Sequence, residues 1–151
     1  MKKIFILLSL FLLVGCTNKI KEANCKIDLK NNDEGYTLKA SYRIYYDKNE
    51  YVTKIESKEK YKSNSDEVLK YFYKVKSIEN ANIYNYGGFE YSVEQLDDIV
   101  NVNAILDLEK ADVKKMIIDK VIKKDYTSSR KITLYGIKEY YEAKGAVCDI
   151  E

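Results

Sequence analysis

The 151-residue chain contains no histidine, no tryptophan and no proline. Without histidine there is no Ser-His or Cys-His catalytic arrangement, and the commonest metal ligand is missing. Cysteine is scarce: Cys16, Cys25 and Cys148 are the only three, and their spacing excludes a C-x-x-C redox motif. Charge of one sign is not in excess either. There are 26 basic and 24 acidic residues, and the net +2 equals the contribution of Lys2 and Lys3. Nucleic-acid binders need a basic footprint, so no nucleic-acid partner is expected. A long hydrophobic run is also lacking. The apolar stretch from Ile4 to Val14 is shorter than the ~20 residues needed to cross a ~30 Å hydrocarbon core.

What the chain does have begins with that short stretch. It follows two lysines and ends Leu13-Val14-Gly15-Cys16, where an ordinary secretory signal would show an A-x-A-like site. The pattern resembles the bacterial lipobox, in which the chain is cut before the cysteine and the cysteine is acylated. Two or three acyl chains, at ~0.8 kcal/mol per buried CH₂, hold a protein on a bilayer far better than one. The expected organisation is a signal peptide over residues 1–15, a lipidated tether over 16–24 with the lipid on Cys16, and one domain over 25–151. The expected location is the extracytoplasmic face of a bacterial membrane, with the bilayer and an unknown protein or envelope component as partners.

Within the domain, residues alternate with period two. Cys25, Ile27 and Leu29 face one way, and Tyr36, Leu38, Ala40, Tyr42, Ile44 and Tyr46 share the face of a second strand. Residues 51–61 continue as a third strand, completing an antiparallel meander. Ser65, Asp66 and Glu67 then read as a helix cap, with Val68, Tyr71, Phe72 and Val75 at helical spacing. Phe89, Tyr91 and Val93 precede a turn near Asp97 and Asp98, and Val100, Val102, Ala104, Leu106 and Leu108 follow it as a hairpin. Asp112 reads as the cap of a helix with Val113, Ile117 and Val121 inward. Thr133 reads as the cap of a last helix with Leu134, Ile137 and Tyr141 inward and Gly145 as its stop. A final short strand contains Cys148. Strands and helices are partly segregated, so the class is α+β: an antiparallel sheet, meander plus hairpin, packed with about three helices.

The lipobox cysteine, the meander SYRIYYDKNEYVTKIES, the segment NYGGFEYSV and the closing GIKEYYEAKGAVC together resemble the YehR-like lipoproteins, a family of unknown function, over nearly all of the mature chain. The resemblance implies an α+β fold and a membrane-anchored location. It implies no activity, cofactor or catalytic residue.

Candidate chemistry is sparse. Cys25 and Cys148 are expected to form a disulfide outside the cytoplasm, the alternative being two reduced core thiols. Tyr84, Tyr86, Gly87, Gly88 and Tyr91 form an aromatic–glycine cluster that reads as an exposed contact surface; the alternative is core rim. Lys114, Lys115, Lys120, Lys123 and Lys124 outnumber Asp112, Asp119 and Asp125, and read as a basic helix lying on anionic lipid or as a face that balances the acidic hairpin. That hairpin carries Glu90, Glu94, Asp97, Asp98, Asp107 and Glu109, but it lacks the D-x-D-x-D-G spacing of a calcium loop, and no metal is expected. No nucleophile elbow or P-loop is present. The expected role is a non-enzymatic binding or envelope-structural module without a cofactor. The alternatives are a small-ligand or metal-ion receptor, or an enzyme.

Overall fold

The structure is a computed structural model that describes residues 20–150. The expected signal peptide, Cys16 and the first residues of the expected tether lie outside the described residues. The elements run β1 (Lys21–Asn31), β2 (Tyr36–Tyr46), β3 (Val52–Ser63), α1 (Asp66–Tyr84), β4 (Phe89–Leu96), β5 (Ile99–Asp107), α2 (Val113–Ile118), β6 (Thr127–Ser128), β7 (Lys131–Ile132), α3 (Leu134–Glu142) and β8 (Val147–Ile150). A single turn of 3₁₀ helix at Lys124–Tyr126 precedes β6. The class is α+β, as the alternation predicts. β1 already begins at Lys21, so the end of the expected tether is strand.

The meander and the hairpin join into one six-stranded sheet of order β4-β5-β3-β2-β1-β8, with antiparallel pairing throughout. Period-two alternation and register together put the apolar residues on one face. Tyr42 lies between Cys25 and Ser57, and Ile44 between Ala23 and Ile55. On the far side of β3, Val100, Val102 and Ala104 lie opposite Tyr61, Glu59 and Ser57. All three helices pack on this face, and the other face is left to solvent.

α1 starts where Ser65 accepts a hydrogen bond from the Val68 N–H (3.4 Å), with Asp66 and Glu67 in its first turn. Its inward stripe differs from the expected one. Leu69 is buried, whereas Tyr71 is exposed. Leu69 joins Tyr61, Val100 and Val102 in one core cluster, and Phe72 stacks on Tyr61 with ring centroids 4.3 Å apart. α3 covers the other half of the sheet. Thr133 caps it by accepting from the Gly136 N–H (3.0 Å), and Leu134, Ile137 and Tyr141 are buried as expected. Tyr141 stacks on Tyr42 at 4.0 Å. The main core cluster runs from Ala23 and Cys25 through Ile44 to Ile137.

The expected basic helix is not one helix. α2 ends at Ile118 because Lys120 takes a left-handed conformation (φ 60°), and the Val121 and Ile122 amides turn back to the Met116 carbonyl. Lys114 and Lys115 lie on α2, Lys120 lies in the turn after it, and Lys123 and Lys124 lie beyond. Met116 replaces Val121 as the inward residue; Val121 is outside the helix. A disulfide between Cys25 and Cys148 ties β1 to β8 across 123 positions of sequence.

Candidate functional site

α1 and α3 lie over different halves of the sheet and do not close over its middle. Between the two core clusters they leave a cavity of about 170 Å³. Its walls are mostly apolar: Ile55, Phe89, Val102 and Leu106 from the sheet, Met116 from α2 and Ile137 from α3. Exposed Glu79 on α1 and exposed Lys144 after α3 mark its mouth.

Two charged side chains line the cavity and point to chemistry. Glu59 is at an inward position of β3, and Lys76 is on the inward stripe of α1. Their side chains are only 14% and 19% exposed, and they form an ion pair of 3.2 Å. The carboxylate is fully engaged. Tyr42 donates to Glu59 Oε1 (3.0 Å) and Tyr61 donates to Oε2 (2.8 Å). Lys76 also reaches Glu79 (3.0 Å) and lies 5.5 Å above the Tyr61 ring. Asn80, one turn on, donates to the Lys76 carbonyl (2.7 Å).

This network sets the protonation states. Burial pushes the Tyr42 phenol far above its ordinary range, and the Glu59 carboxylate beside it pushes further. Tyr61 is raised for the same two reasons, although Lys76 opposes them. Tyr141 is raised chiefly by burial. For Lys76 burial acts to lower the ammonium, but Glu59, Tyr61 and Glu79 outweigh it and hold it above the usual lysine range. At neutral pH the site therefore presents neutral phenols and a charged lysine. Glu59 already accepts from three donors, which leaves it poorly placed for proton transfer. The arrangement suits binding: an apolar body fits the walls, and a polar group meets the Lys76–Glu79–Asn80 edge.

Reading the sequence did not identify Glu59, Lys76 or Asn80, although a signal was present. On β3, Ile55, Ser57, Glu59 and Tyr61 share the inward parity. On α1, Leu69, Phe72, Lys76, Asn80 and Ile83 follow helical spacing. A carboxylate and an ammonium at inward positions mark a buried polar site.

The aromatic–glycine cluster divides in two. Tyr84 (60% exposed) and Tyr91 (39%) meet edge to face at 6.3 Å on the surface. Tyr86 instead turns to α2: its hydroxyl donates to Asp119 (2.9 Å), and Lys115 lies 5.6 Å above its ring. Gly87 and Gly88 both have positive φ, and a Cβ on Gly88 would strike the Asp107 carbonyl and the Ala111 amide. What comes close at Gly88 is thus the chain's own backbone. The five lysines of the expected lipid-facing segment are all exposed. Among the described residues no group of three or more His, Cys, Asp or Glu is arranged to hold a metal.

No protein family profile matches the chain, and no curated protein matches it. Among solved structures, the chain is similar to the NMR structure of the E. coli YehR protein, with a TM-score of 0.55 and 21% identity over 86% of this chain and 92% of that one. At that identity the likeness concerns the fold alone. The chain has a YehR-like fold.

Proposed function

We propose that this chain is a bacterial lipoprotein of the YehR-like kind, held through acylated Cys16 on the extracytoplasmic face of a membrane, and that its domain is a non-enzymatic binding module for a small amphiphile. The observation that carries the binding role is the cavity between α1 and α3, apolar in its walls and edged by the satisfied Glu59–Lys76 pair. Its volume of about 170 Å³ resembles that of a 150 Å³ protein cavity that admits benzene, so the buried part of the ligand is the size of one ring or a short alkyl chain. The LVGC motif supports the anchor, and a disulfide between the first and last strands suits an oxidising compartment.

Thermal unfolding with benzyl alcohol, phenethylamine and hexanoate tests the binding role. A ligand bound only by the folded state stabilises it by ~2.7 kcal/mol at about 100 times its dissociation constant. At least one probe is expected to raise the melting temperature of the wild type and to leave Ala104→Phe, in which a ring fills the cavity, unmoved. Equal shifts in both proteins, or none in either, refute this reading. Palmitate labelling of cells, lost on Cys16→Ser, tests the anchor; equal labelling of the variant refutes it.

A further inference from the structure

The solvent face of the sheet is divided by charge. Register aligns its side chains in rows across β1, β2, β3 and β5. Near the start of β1 the rows are Glu22–Tyr45–Lys54–Asp107 and Asn24–Arg43–Glu56–Ile105, and they set both bases among acids. Arg43 pairs with Glu22 (3.1 Å) and Glu56 (3.8 Å), and Lys54 pairs with Glu56 (2.7 Å). The next three rows are different: Lys26–Ser41–Lys58–Asn103, Asp28–Lys39–Lys60–Asn101 and Lys30–Thr37–Lys62–Ile99, with exposed Glu94 of β4 continuing the middle one. All six of their lysines are exposed. Lys39 has a long contact to Asp28 (3.7 Å) and Lys62 pairs with Asp98 (2.9 Å). Lys26, Lys30 and Lys58 pair with no acid among the described residues, and Lys60 adds its charge to that of Lys62 near Asp98.

Lys39 and Lys60 are directly opposite each other, where like charges destabilise a sheet. The fold does not require this, because the neighbouring rows of the same sheet pair opposite charges. An external polyanion would relieve the repulsion. The rows hold no arginine fork for bidentate binding of an anion and no aromatic platform for stacked bases. They offer ammonium point charges interleaved with Ser41, Thr37, Asn101 and Asn103, which suits phosphates joined by hydroxyl-bearing units. At about 3.4 Å per residue, the lysine rows lie roughly 14 to 27 Å along β1 from Glu22, on the side away from the proposed anchor. With β1 pointing away from the bilayer, that is beyond the ~8 Å reach of a membrane charge at physiological salt. We propose that these three rows bind a linear phosphate polyester of the cell envelope rather than the bilayer. The choice of polymer over bilayer rests on the Cys16 anchor; the binding itself does not.

The test uses the full chain in neutral detergent, with poly(glycerol phosphate) as the probe. If four of the lysines each neutralise a phosphate, log affinity falls with log salt at a slope of about 3, a loss of roughly fifty-fold between about 50 and 200 mM. Lys58→Gln with Lys60→Gln is expected to halve that slope and weaken low-salt binding by about tenfold. Lys114→Gln with Lys115→Gln on α2 is expected to change it less than about twofold. No binding by the wild type at low salt overturns the proposal, as does undiminished binding by the Lys58/Lys60 variant while its unfolding curve stays native-like. Equal affinity for polygalacturonate overturns the phosphate assignment. Phosphatidylglycerol vesicles bound through Lys58 and Lys60 more tightly than the polymer overturn the choice of occupant, and do so without touching the cavity, whose probes are read separately.

Discussion

Glu59 and Lys76 are the residues on which the site depends most. Breaking a buried pair by removing one partner costs ~3–5 kcal/mol, and the partial exposure of this one (14% and 19%) places it near the lower end. Glu59→Gln or Lys76→Met alone is therefore expected to destabilise by about 3 kcal/mol. Combining the two should cost less than their sum by about 1–2 kcal/mol, because no charge is then left unpaired. Urea unfolding of the four proteins measures this, and strict additivity contradicts the network. The same residues set an alkaline limit. Tyr42, Tyr61, Tyr141 and Lys76 all have raised pKa values in the folded state. Each keeps its proton when folded at a pH where the unfolded chain gives it up, near 10 for tyrosine and 10.4 for lysine. The unfolded state then binds fewer protons, so stability holds below these values and falls as pH rises past them. The urea midpoint should be flat from about pH 7 to 9 and drop steeply above about pH 10; a midpoint that holds to about pH 11 contradicts the assignment. Glu59 and Lys76 are hidden in the sequence because alternation reveals apolar faces, and a polar residue at an inward position does not stand out by hydrophobicity.

Among the elements, the caps were legible, as was the stop of α3 at left-handed Gly145 (φ 87°), and the end of α2 was not. Ser65 and Thr133 cap α1 and α3 as their sequence contexts predict. α2 stops after Ile118 because Lys120 adopts a left-handed turn, a conformation that its residue type does not announce. Val121 therefore leaves the expected helical stripe and, with Ile122, lines the cavity instead. Gly136 is a second case of tertiary context overriding local preference. It lies inside α3, where alanine is ordinarily better by ~1 kcal/mol. Here a Cβ would collide with the backbone of Tyr126, which packs against the helix. Gly136→Ala is thus expected to lower stability, by about 1–3 kcal/mol as for overpacking, despite its better helix propensity. A raised melting temperature for that variant would contradict the close approach of α3 to Tyr126.

For the whole molecule, the α+β class and strands β1, β2, β4 and β5 could be read from period-two patterning, since one slipped residue would bury the wrong face; β3 follows from the turn before it, and four-residue β8 is too short to alternate visibly. The order of strands could not be read. That β5 joins β3 and β8 joins β1 depends on contacts distant in sequence, and the cavity is the space left between α1 and α3, which no local pattern encodes. The Cys25–Cys148 bridge fixes the most distant of these contacts. Closing a loop of ~100 residues is worth up to ~4.7 kcal/mol in the entropic account, so Cys25→Ala with Cys148→Ala should lose several kcal/mol in urea unfolding, and reductant should destabilise the wild type alone. Equal sensitivity of both proteins to reductant would place its effect elsewhere. The central claim, that the space between the helices is a binding site, is tested most directly by amide correlation spectra of the labelled protein titrated with the probe that most raises its melting temperature. The account predicts saturable shifts at Glu59, Lys76, Val102, Met116 and Tyr141. Shifts confined to the surface around Tyr84 and Tyr91, or none that saturate, would contradict it.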